Sequence, residues 1–323
     1  MDNPPVVAMK RAILERRAAV NARIRAFFAA RGAIEVETPM LSEAGNTEPN
    51  IESFSTVFNG PSAHGCGERW LRTSPEFALK RLLAEDIGDC YELGRVFRDG
   101  EAGRRHNPEF TMLEWYRVGW DHRRLIDETV ELVLDVLAAF GRRTDVRQCT
   151  YRDWFVDGLG VDPFTAPIDA LRAPLAGVRI ESDGLSRDDW LDLLVTHRLQ
   201  PALPRERITV VRDFPATQAA LAKIRDGAPP VAERFELYLG SGELANGYHE
   251  LTDANEQRER FVRDNARRRA RGQREIPIDE RLLDALPCMP ACAGVALGVE
   301  RLLMWLADSD DIGDVLAFAF AEA

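Results

Sequence analysis

The sequence predicts an α+β protein in which helices flank an antiparallel β-sheet. Two pairs of apolar, aromatic-rich segments follow one another closely enough to form hairpins, at 90–97 with 110–118 and at 235–239 with 243–248. Strand–helix–strand units, which build parallel sheets, are few. A chain of 323 residues can bury a large core. We therefore expect a single domain over 1–323 rather than a doubly wound parallel sheet.

The composition is that of a globular protein without a membrane anchor. Charged residues make up 29% and hydrophobic residues 45% of the chain. No apolar run approaches the roughly 18 residues of a membrane span, and residues 1–5 do not lead into an export signal. The five cysteines are scattered and lack the partners of a zinc site. We expect a cytoplasmic protein with reduced thiols.

The net charge limits the kinds of partner. The 42 basic and 53 acidic residues leave a charge of −11, whereas proteins that hold long stretches of nucleic acid usually carry a basic surplus. One dense basic cluster, at 263–274, places six arginines on a predicted helix. We interpret that cluster as a solvated helix face, and contact with tRNA phosphates is the alternative.

Helical spacing and stop signals place the N-terminal elements. Apolar residues recur at helical spacing over 7–30, and Gly32 ends that helix. A short strand over 34–37 stops at Pro39. At 73–83 a hydroxyl, a proline and an acid in the first turn predict a second helix.

The hairpin of 90–97 and 110–118 carries an arginine-rich loop. Arg98 follows the first strand directly, and Arg104 and Arg105 lie in the loop. Fixed positive charge held by a rigid sheet suits a polyanion such as a triphosphate. For this segment taken alone, an ordinary hairpin with a solvated basic tip is the alternative.

The second half of the chain mixes short helices and strands. A helix is predicted over 123–140, followed by an insertion lobe over about 141–204, which is rich in Asp, Pro and Gly. A strand begins at Val210. A helix over 252–271, capped by the threonine at its start, and a helix over 298–307 complete the chain.

Three glutamates recur every seven residues around the second hairpin, at Glu236, Glu243 and Glu250. The first two flank the tight turn at 240–242, so we expect their side chains to face each other across the strands. Two carboxylates that close repel unless a cation lies between them, and Mg²⁺ shared with triphosphate oxygens fits. Exposed strand acids without a metal are the alternative.

Three motifs occur in the order typical of one enzyme family. Residues 31–41 (RGAIEVETPML) predict a helix that runs into a strand ending in proline. The second motif combines 97–99 (FRD) with 106–111 (HNPEFT), and the third is 294–301 (GVALGVER). With GELANGYHEL at 242–251 between them, the series resembles the class II aminoacyl-tRNA synthetases, most closely the lysyl-tRNA synthetase branch. The resemblance covers nearly the whole chain. It implies an antiparallel sheet, ATP and Mg²⁺ as cofactors, and a homodimer built on the first motif.

This resemblance implies an ATP site. Arg98 matches the arginine that clamps the α-phosphate during carboxylate attack, and Arg301 matches the arginine on the γ-phosphate, so both are the implied catalytic residues. Glu236 and Glu243 match the metal carboxylates, and Glu243 also belongs to the nucleotide site. Asn107 and Phe110 match the groups that hold adenine. The other implied ATP contacts are Asp99, Gly100, Glu101, His106, Leu244 and Gly298.

The same resemblance implies an amino-acid pocket. Glu250 and Tyr116 match groups that hold the distal ammonium of the substrate. Glu76 matches an acid for the other amino group, and Asn246 an amide near the carboxylate. Such a set suits a diamino acid, since a desolvated ammonium needs paired acids. The remaining implied contacts are Ser74, Pro75 and Ala296.

Two positions depart from the synthetase pattern. The usual Arg-x-Glu of the second motif is Arg98-Asp99-Gly100-Glu101 in this chain, so either Glu101 or the backbone near Gly100 reads the adenine edge. The third motif has Ala296 where the synthetases usually have glycine. A methyl group at this position intrudes on the amino-acid pocket, which implies a substrate other than ordinary α-lysine.

One branch of the family combines these features. The first motif begins too close to Met1 to leave room for an anticodon-binding domain, so we expect no anticodon recognition of tRNA. Length, starting point and the GVALGV sequence match the family of lysyl-tRNA synthetase paralogues that attach β-lysine to elongation factor P. The resemblance implies ATP-dependent activation of a diamino acid, (R)-β-lysine, and its transfer to a lysine ε-amine of elongation factor P, although the sequence leaves α-lysine open.

Two other functions stay open at this point. The first is a free-standing amino-acid synthetase that acts on tRNA or ammonia. The second is an inactive paralogue that binds an amino acid or adenylate as a sensor. The presence of both motif arginines together with the acid set argues against the sensor.

Overall fold

A computed structural model describes residues 6–61, 67–181 and 184–323. Residues 1–5, on which the expectation about export rests, and Cys66 lie outside the described residues. The helices are α1 (Val6–Ala29), α2 (Glu76–Ala84), α3 (His122–Ala139), α4 (Tyr151–Leu159), α5 (Ile168–Arg172), α6 (Arg187–Leu194), α7 (Ala254–Ala270), α8 (Glu280–Ala285) and α9 (Val299–Leu306). The strands are β1 (Ile34–Glu35), β2 (Leu41–Ser42), β3 (Ser55–Phe58), β4 (Gly67–Leu71), β5 (Cys90–Phe97), β6 (Glu109–Val118), β7 (Asp145–Thr150), β8 (Arg207–Pro215), β9 (Ile224–Arg225), β10 (Val231–Leu239), β11 (Gly242–His249) and β12 (Cys292–Gly298).

Within the described chain, nine strands form one sheet in the order β1-β5-β6-β12-β11-β10-β8-β7, with β9 paired to β10. Neighbouring strands from β5 to β8 are antiparallel. The outer pairs β1–β5 and β8–β7 are parallel. The predicted α+β class is confirmed, and the parallel edges make its sheet mixed. Strands β2, β4 and β3 form a second, small sheet.

The elements that the sequence predicted with the clearest patterns are confirmed. The segments 90–97 and 110–118 form β5 and β6, and 235–239 and 243–248 lie within β10 and β11. Helices α1, α2 and α3 begin and end within a few residues of their predicted bounds. These elements combine strong apolar periodicity with turn or capping residues, which is why their patterns could be detected locally.

The cap of α7 differs from the prediction. Asp253 is the N-cap, and its Oδ1 accepts hydrogen bonds from the backbone N–H groups of Asn255 and Glu256 at 2.9 and 3.0 Å. The expected cap was Thr252. Threonine and aspartate are both favourable cap residues, so the sequence alone does not decide between neighbours.

The segment 141–204, expected as an insertion lobe, begins with a strand that the sequence did not predict. Strand β7 pairs in parallel with β8 and extends the main sheet. Its side chains are mostly exposed, so it lacks the apolar alternation on which a strand prediction rests. The helices that follow pack Phe155, Leu171 and Trp190 against β8 and β10, in a cluster separate from the main core.

The main core lies on one face of the sheet, under α1, α3 and α9. Alternation along β12 shows how the two faces divide. Ala293, Val295 and Leu297 are buried in the core, and the residues between them point to the opposite face. That opposite face carries Glu114, Tyr116 and the small residues of β12, and it is where the candidate site lies.

The arginines of 263–274 are paired with acids. Arg268 is fully buried, and its Nη2 lies 2.7 Å from a carboxylate oxygen of Glu52. The expected solvated helix face is therefore wrong for Arg268, whereas Arg263 is 58% exposed. The partners of the other arginines are Glu259, Asp264, Glu275, Asp189 and Glu68.

Membrane-spanning length and cysteine pairing can be checked on the described residues. None of their helices is both long and apolar enough to cross a bilayer. Cys90, Cys149, Cys288 and Cys292 are free thiols.

Candidate active site

A cavity of about 340 Å³ opens on the face of the sheet opposite the main core. Its floor comes from β6, β10, β11 and β12, and its walls from α2, α7 and the loop after β5. The predicted site residues that line it are Ser74, Glu76, Arg98, Glu101, His106, Asn107, Phe110, Tyr116, Glu236, Glu243, Leu244, Asn246, Glu250, Ala296, Gly298 and Arg301.

Three predicted residues do not line this cavity. Pro75 borders a neighbouring cavity of about 330 Å³. The backbone N–H of Asp99 donates to the carbonyl of Glu52 at 2.9 Å. Gly100 has a φ of +77°, a left-handed conformation that favours glycine. Contacts of these three residues with a ligand stay a prediction.

The cavity has room above β12 because every second residue of that strand on the cavity side is small. Gly294, Ala296 and Gly298 share the face that meets the cavity. A Cβ atom on Gly294 would lie 2.3 Å from Cε1 of Tyr116 and 2.6 Å from Oε1 of Glu250. Glycine at 294 therefore lets that ring and that carboxylate approach the strand closely.

The strand register aligns polar side chains in one row across the floor. Glu236 of β10 lies opposite Asn246 of β11. Asn246 lies opposite Ala296 of β12, and Ala296 lies opposite Glu114 of β6. Because neighbouring strands are about 4.8 Å apart, a ligand resting on the Ala296 methyl group can reach both Asn246 and Glu114.

A buried lysine joins two of the predicted acids. The Nζ atom of Lys80 lies 2.7 Å from Oε1 of Glu76 and 2.6 Å from Oε2 of Glu250. Burial lowers the pKa of Lys80, but Glu250 and Glu76 outweigh it, and the pKa is raised above its ordinary value. Burial also raises the pKa of Glu250 to about 7, against the attraction of Lys80. Lys80 was not predicted from the sequence, because a lysine four residues after a glutamate is typical of an exposed helical ion pair.

A third acid, Glu114, completes this end of the cavity and was also missed. It accepts hydrogen bonds from the hydroxyls of Ser74 and Tyr116 at 2.6 and 2.8 Å. Burial, followed by repulsion from Glu76, raises the pKa of Glu114 to about 8. A single acid within the apolar strand 110–118 was the available signal, because an unpaired charge there is costly.

The acid end of the cavity, defined as Glu76, Lys80, Glu114 and Glu250, can carry a large negative charge. With every group ionised, three negative charges and one positive charge leave a formal charge of −2. Burial favours the protonated forms of Glu114 and Glu250, so a cation that enters would release protons from them. The acid end can therefore neutralise two ammonium groups.

The two predicted metal carboxylates share a face, but they are not opposite each other. The tight turn pairs Glu243 with Tyr238, and Glu236 pairs with Asn246 because β11 holds an extra residue, Leu244. Leu244 and the residue after it both lie in the main core, as a β-bulge allows. The expected direct cross-strand pair is wrong. The tight turn places Glu243 opposite Tyr238, which shares a face with Glu236, and the bulge then brings Asn246 to that same face.

Glu236 already has a counter-ion that the sequence analysis missed. Nη2 of Arg234 lies 2.5 Å from its Oε1, and the hydroxyl of Tyr238 donates to its Oε2. Burial raises the pKa of Glu236 to about 7 against the attraction of Arg234. Glu243 is 37% exposed. Oxygen donors on one face, one buried and one open to the cavity, fit the ligand preference of Mg²⁺.

Arg301 lies at the exposed end of the cavity. Its Nη1 donates to the carbonyl of Glu243 at 2.5 Å, and its Nη2 lies 3.2 Å from Nε2 of His106. Burial, together with the charge of Arg301, lowers the pKa of His106. The imidazole is therefore neutral at pH 7, and the positive charge at this position belongs to Arg301.

Arg98 also lies at this end, where β5 leads into the loop. Its guanidinium carbon lies 5.1 Å from the ring centre of Phe110, and its Nη1 lies 3.6 Å from Oε1 of Glu101. Its Nε has no hydrogen-bond partner within the described chain. Arg98 thus offers donors to an anion while Phe110 limits its orientation.

Asn107 orders the loop between β5 and β6. Its Oδ1 accepts a hydrogen bond from the backbone N–H of Phe320 at 2.9 Å, and its Nδ2 donates to the carbonyl of Glu109 at 2.7 Å. Asn107 thereby joins the loop to the C-terminal segment, and its predicted contact with adenine stays a prediction.

Comparisons with known proteins give one consistent result. The family model of class II tRNA synthetases (D, K and N) matches residues 7–322. Proteins named elongation factor P–(R)-β-lysine ligase from Salmonella gallinarum (strain 287/91 / NCTC 13346) and from Yersinia enterocolitica serotype O:8 are each 45% identical to this chain over 314 residues, 96% of the chain and 95% of each relative. A protein of the same name from Proteus mirabilis (strain HI4320) is 46% identical over 309 residues, 94% of both chains.

The ion pairs of Lys80 predict a stability effect. Lys80→Met keeps most of the side-chain volume but leaves buried carboxylates without their cation, which should lower the free energy of unfolding by about 3–5 kcal/mol. Adding Glu76→Gln should recover part of that loss, because one unpaired charge is then removed. Denaturant unfolding of the wild type, both single variants and the double variant measures this coupling. Strictly additive effects would show that Lys80 is not the counter-ion of Glu76.

Proposed function

The chain belongs to the class II tRNA synthetases (D, K and N), and from that membership we propose that it is an ATP-dependent ligase that modifies elongation factor P. In the first step, the carboxylate of a diamino acid attacks the α-phosphorus of ATP, which gives an aminoacyl-adenylate and pyrophosphate. In the second step, a lysine ε-amine of elongation factor P attacks the acyl carbon, an amide bond forms and AMP leaves. The relatives named as (R)-β-lysine ligases support (R)-β-lysine as the diamino acid.

The observation that carries this proposal is the charge of the acid end. A diamino acid has two ammonium groups, and Glu76, Glu114 and Glu250 exceed the single charge of Lys80 by two. Buried ammonium groups require such counter-charge. Tyr116 donates to Glu114 and closes this end with its ring. In our assignment, Glu250 holds the distal ammonium and Glu76 the other amino group, with Asn246 near the carboxylate.

The exposed end supplies the positive charge that ATP requires. Arg98 is placed to stabilise charge that develops on the α-phosphate, and Arg301 to hold the γ-phosphate. A Mg²⁺ ion held by Glu236 and Glu243 would supply further neutralisation of the phosphate oxygens. Positioning and charge stabilisation suffice for adenylate formation, so the first step needs no covalent nucleophile from the protein.

The remaining nucleotide contacts follow from the same assignment. Phe110 offers a ring on which adenine can stack, and Asn107 holds the loop that carries it. Glu101 or the backbone at Gly100 would read the adenine edge. The further proposed contacts are Ser74 and Pro75 for the amino acid, and Asp99, His106, Leu244 and Gly298 for the nucleotide.

We also propose a cytoplasmic homodimer in which each chain is one catalytic domain with an insertion lobe at 141–204. Ile34, Met40 and Leu41 of the first motif region are 52%, 43% and 48% exposed. Large apolar side chains grouped on a surface favour a contact with another chain. That exposure supports the homodimer expected from the first motif.

A synthetase that acts on tRNA is the second candidate. It would need basic surface to hold an RNA backbone, and the arginine-rich segment 263–274 is the place to look for it. Those arginines are instead paired with carboxylates, and the net charge is −11. A protein that presents one lysine at the mouth of the cavity needs no such surface.

The raised pKa values predict how substrate binding depends on pH. Below about pH 7, Glu114 and Glu250 hold protons that must leave before two ammonium groups can be neutralised. The KM for the diamino acid should therefore fall as pH rises towards about 8, by up to about tenfold per unit for each proton released. Pyrophosphate-exchange kinetics measure this profile. In Glu114→Gln the decrease in KM with pH should end nearer pH 7, where Glu250 titrates. An unchanged dependence of KM on pH would show that Glu114 does not lose a proton when the substrate binds.

The methyl group of Ala296 predicts a preference between substrates. Ala296 lies on the floor between Asn246 and Glu114, and our assignment puts the backbone of the amino acid above it. Ala296→Gly should improve kcat/KM for α-lysine relative to β-lysine, with about 1–3 kcal/mol of discrimination at stake. The KM for ATP serves as the control and should not move. An equal ratio in wild type and variant would place the methyl group away from the substrate backbone.

The acceptor is tested with purified protein, ATP, Mg²⁺ and labelled (R)-β-lysine. Pyrophosphate exchange without any acceptor comes first, because a sensor would not support it. Label should then transfer to elongation factor P and should not transfer when the target lysine of that protein is replaced. Bulk tRNA at the same concentration is the matched acceptor and should stay unlabelled. RNase-sensitive label on tRNA, with none on the protein, would favour the tRNA synthetase instead.

A further inference from the structure

A cluster of histidine and carboxylate side chains lies on the side of the sheet that faces away from the acid end. It consists of His122 at the start of α3, Glu233 on β10 and His249 at the end of β11, with Asp213 of β8 beside them. His249 directly precedes Glu250, and successive side chains of an extended segment point to opposite faces. The cluster therefore lies behind the amino-acid pocket and does not line it.

The three side chains offer ligand atoms to one point. One atom each from His122, Glu233 and His249 lies within 4.8 Å of the other two. Nδ1 of His249 is 2.5 Å from Oε2 of Glu233. In a tetrahedral zinc site, bonds of about 2.0–2.1 Å place ligand atoms about 3.4 Å apart. Small side-chain rotations would therefore convert the observed cluster into a coordination geometry.

His122 is buried without a short hydrogen bond among the described residues. Its side chain is 1% exposed, and neither ring nitrogen has a hydrogen-bond partner within the described chain. The nearest acid oxygen, Oδ1 of Asp213, lies 3.8 Å from Nε2, which is beyond hydrogen-bond distance. A buried imidazole without partners is costly, and a metal bond would satisfy one of its nitrogens.

Two arginines bind the carboxylates of Glu233 and Asp213, in the way that hydrogen-bonding groups around a metal site orient its ligands. Nη1 of Arg225 donates to Oε1 of Glu233 at 3.0 Å, and its Nη2 donates to Oδ1 of Asp213 at 2.7 Å. Arg212 also pairs with Asp213. Hydrogen bonds to the second oxygen of a ligating carboxylate fix its orientation, and here they leave Oε2 of Glu233 facing His249.

We propose that His122, Glu233 and His249 form a binding site for a divalent transition metal ion, with zinc as the ion that fits best. Arg225 and Arg212 already offset the charges of the two carboxylates, so the two imidazoles must supply much of the affinity. Imidazole donors favour Zn²⁺, Co²⁺ and Ni²⁺ over Mg²⁺ and Ca²⁺. The ion joins α3 to β10 and β11 at the residue before Glu250, and water completes its coordination.

No local sequence pattern indicates this site. The expectation about zinc rested on cysteine spacing, whereas the three ligands lie at sequence separations of 111 and 16 residues on elements that meet only in the folded chain. No short motif carries such a set.

The test uses the full chain, freed of metal with a chelator and then titrated with Zn²⁺ in the presence of saturating Mg²⁺. Mg²⁺ competes for the carboxylates proposed at the ATP site, and the Zn²⁺ binding that His122→Leu loses is the part that belongs to the proposed site. We expect one ion per chain at micromolar or lower Kd and a rise in Tm of several degrees with excess Zn²⁺. Co²⁺ should give the visible absorption bands of a site with histidine ligands.

Variants decide between the metal site and a cluster held by hydrogen bonds alone. His122→Leu should weaken Zn²⁺ binding roughly 100-fold or more, the upper range for loss of an outer-shell group, while its Tm without metal stays at or above that of the wild type. Glu233→Gln is the second variant, should His122→Leu not fold. His197→Gln, which changes an exposed histidine elsewhere, should bind as the wild type does. No Zn²⁺ binding by the wild type, or equal binding by His122→Leu, would overturn the proposal.

Discussion

Several carboxylates can lie close together at the buried end of a cavity only if a positive charge lies between them, and in this cavity Lys80 supplies that charge. The Nζ atom of Lys80 is within 2.7 Å of both Glu76 and Glu250, so one ammonium holds an acid from α2 and an acid from beyond β11 together. Without that charge, each acid would take up a proton or turn away. The lysine is therefore what keeps the acid end ready for a ligand before one arrives, which lowers the cost of ordering it on binding.

The sheet then determines what such a ligand can touch. Small residues on β12 leave room above the floor, and a Cβ atom at Gly294 would remove that room by colliding with Tyr116 and Glu250. One extra residue in β11, Leu244, lets Asn246 share the side that Glu236 and Glu243 occupy. Both effects come from backbone geometry rather than from strong individual contacts. Antiparallel strands of one mixed sheet therefore present an acidic end and an arginine-bearing end in one cavity.

The sequence predicted the groups that should contact ligands better than the groups that hold them in place. The hairpins and motif residues follow from local periodicity and spacing, and most of the motif residues do line one cavity. Lys80, Glu114 and Arg234 were missed because each resembles an ordinary helix or strand residue. Their burial arises only when α2 packs on the sheet and the strands take their register, which are non-local events. Strand β7 was missed because an exposed edge strand carries no apolar alternation.

Under the proposed function, the same charge arithmetic predicts selectivity against amino acids with one ammonium group. Such a ligand would leave one carboxylate among Glu76, Glu114 and Glu250 either charged without a partner or protonated in a place built for an ion pair. Discrimination then comes from the free energy of leaving a buried carboxylate unpaired when the wrong ligand binds, and this free energy is large for buried polar groups. In the proposed function, a glycine or alanine at 296 adjusts which substrate backbone fits, whereas the acid end sets how many ammonium groups the substrate must carry. These two contacts involve different parts of the substrate, so a change in one should leave the effect of the other intact.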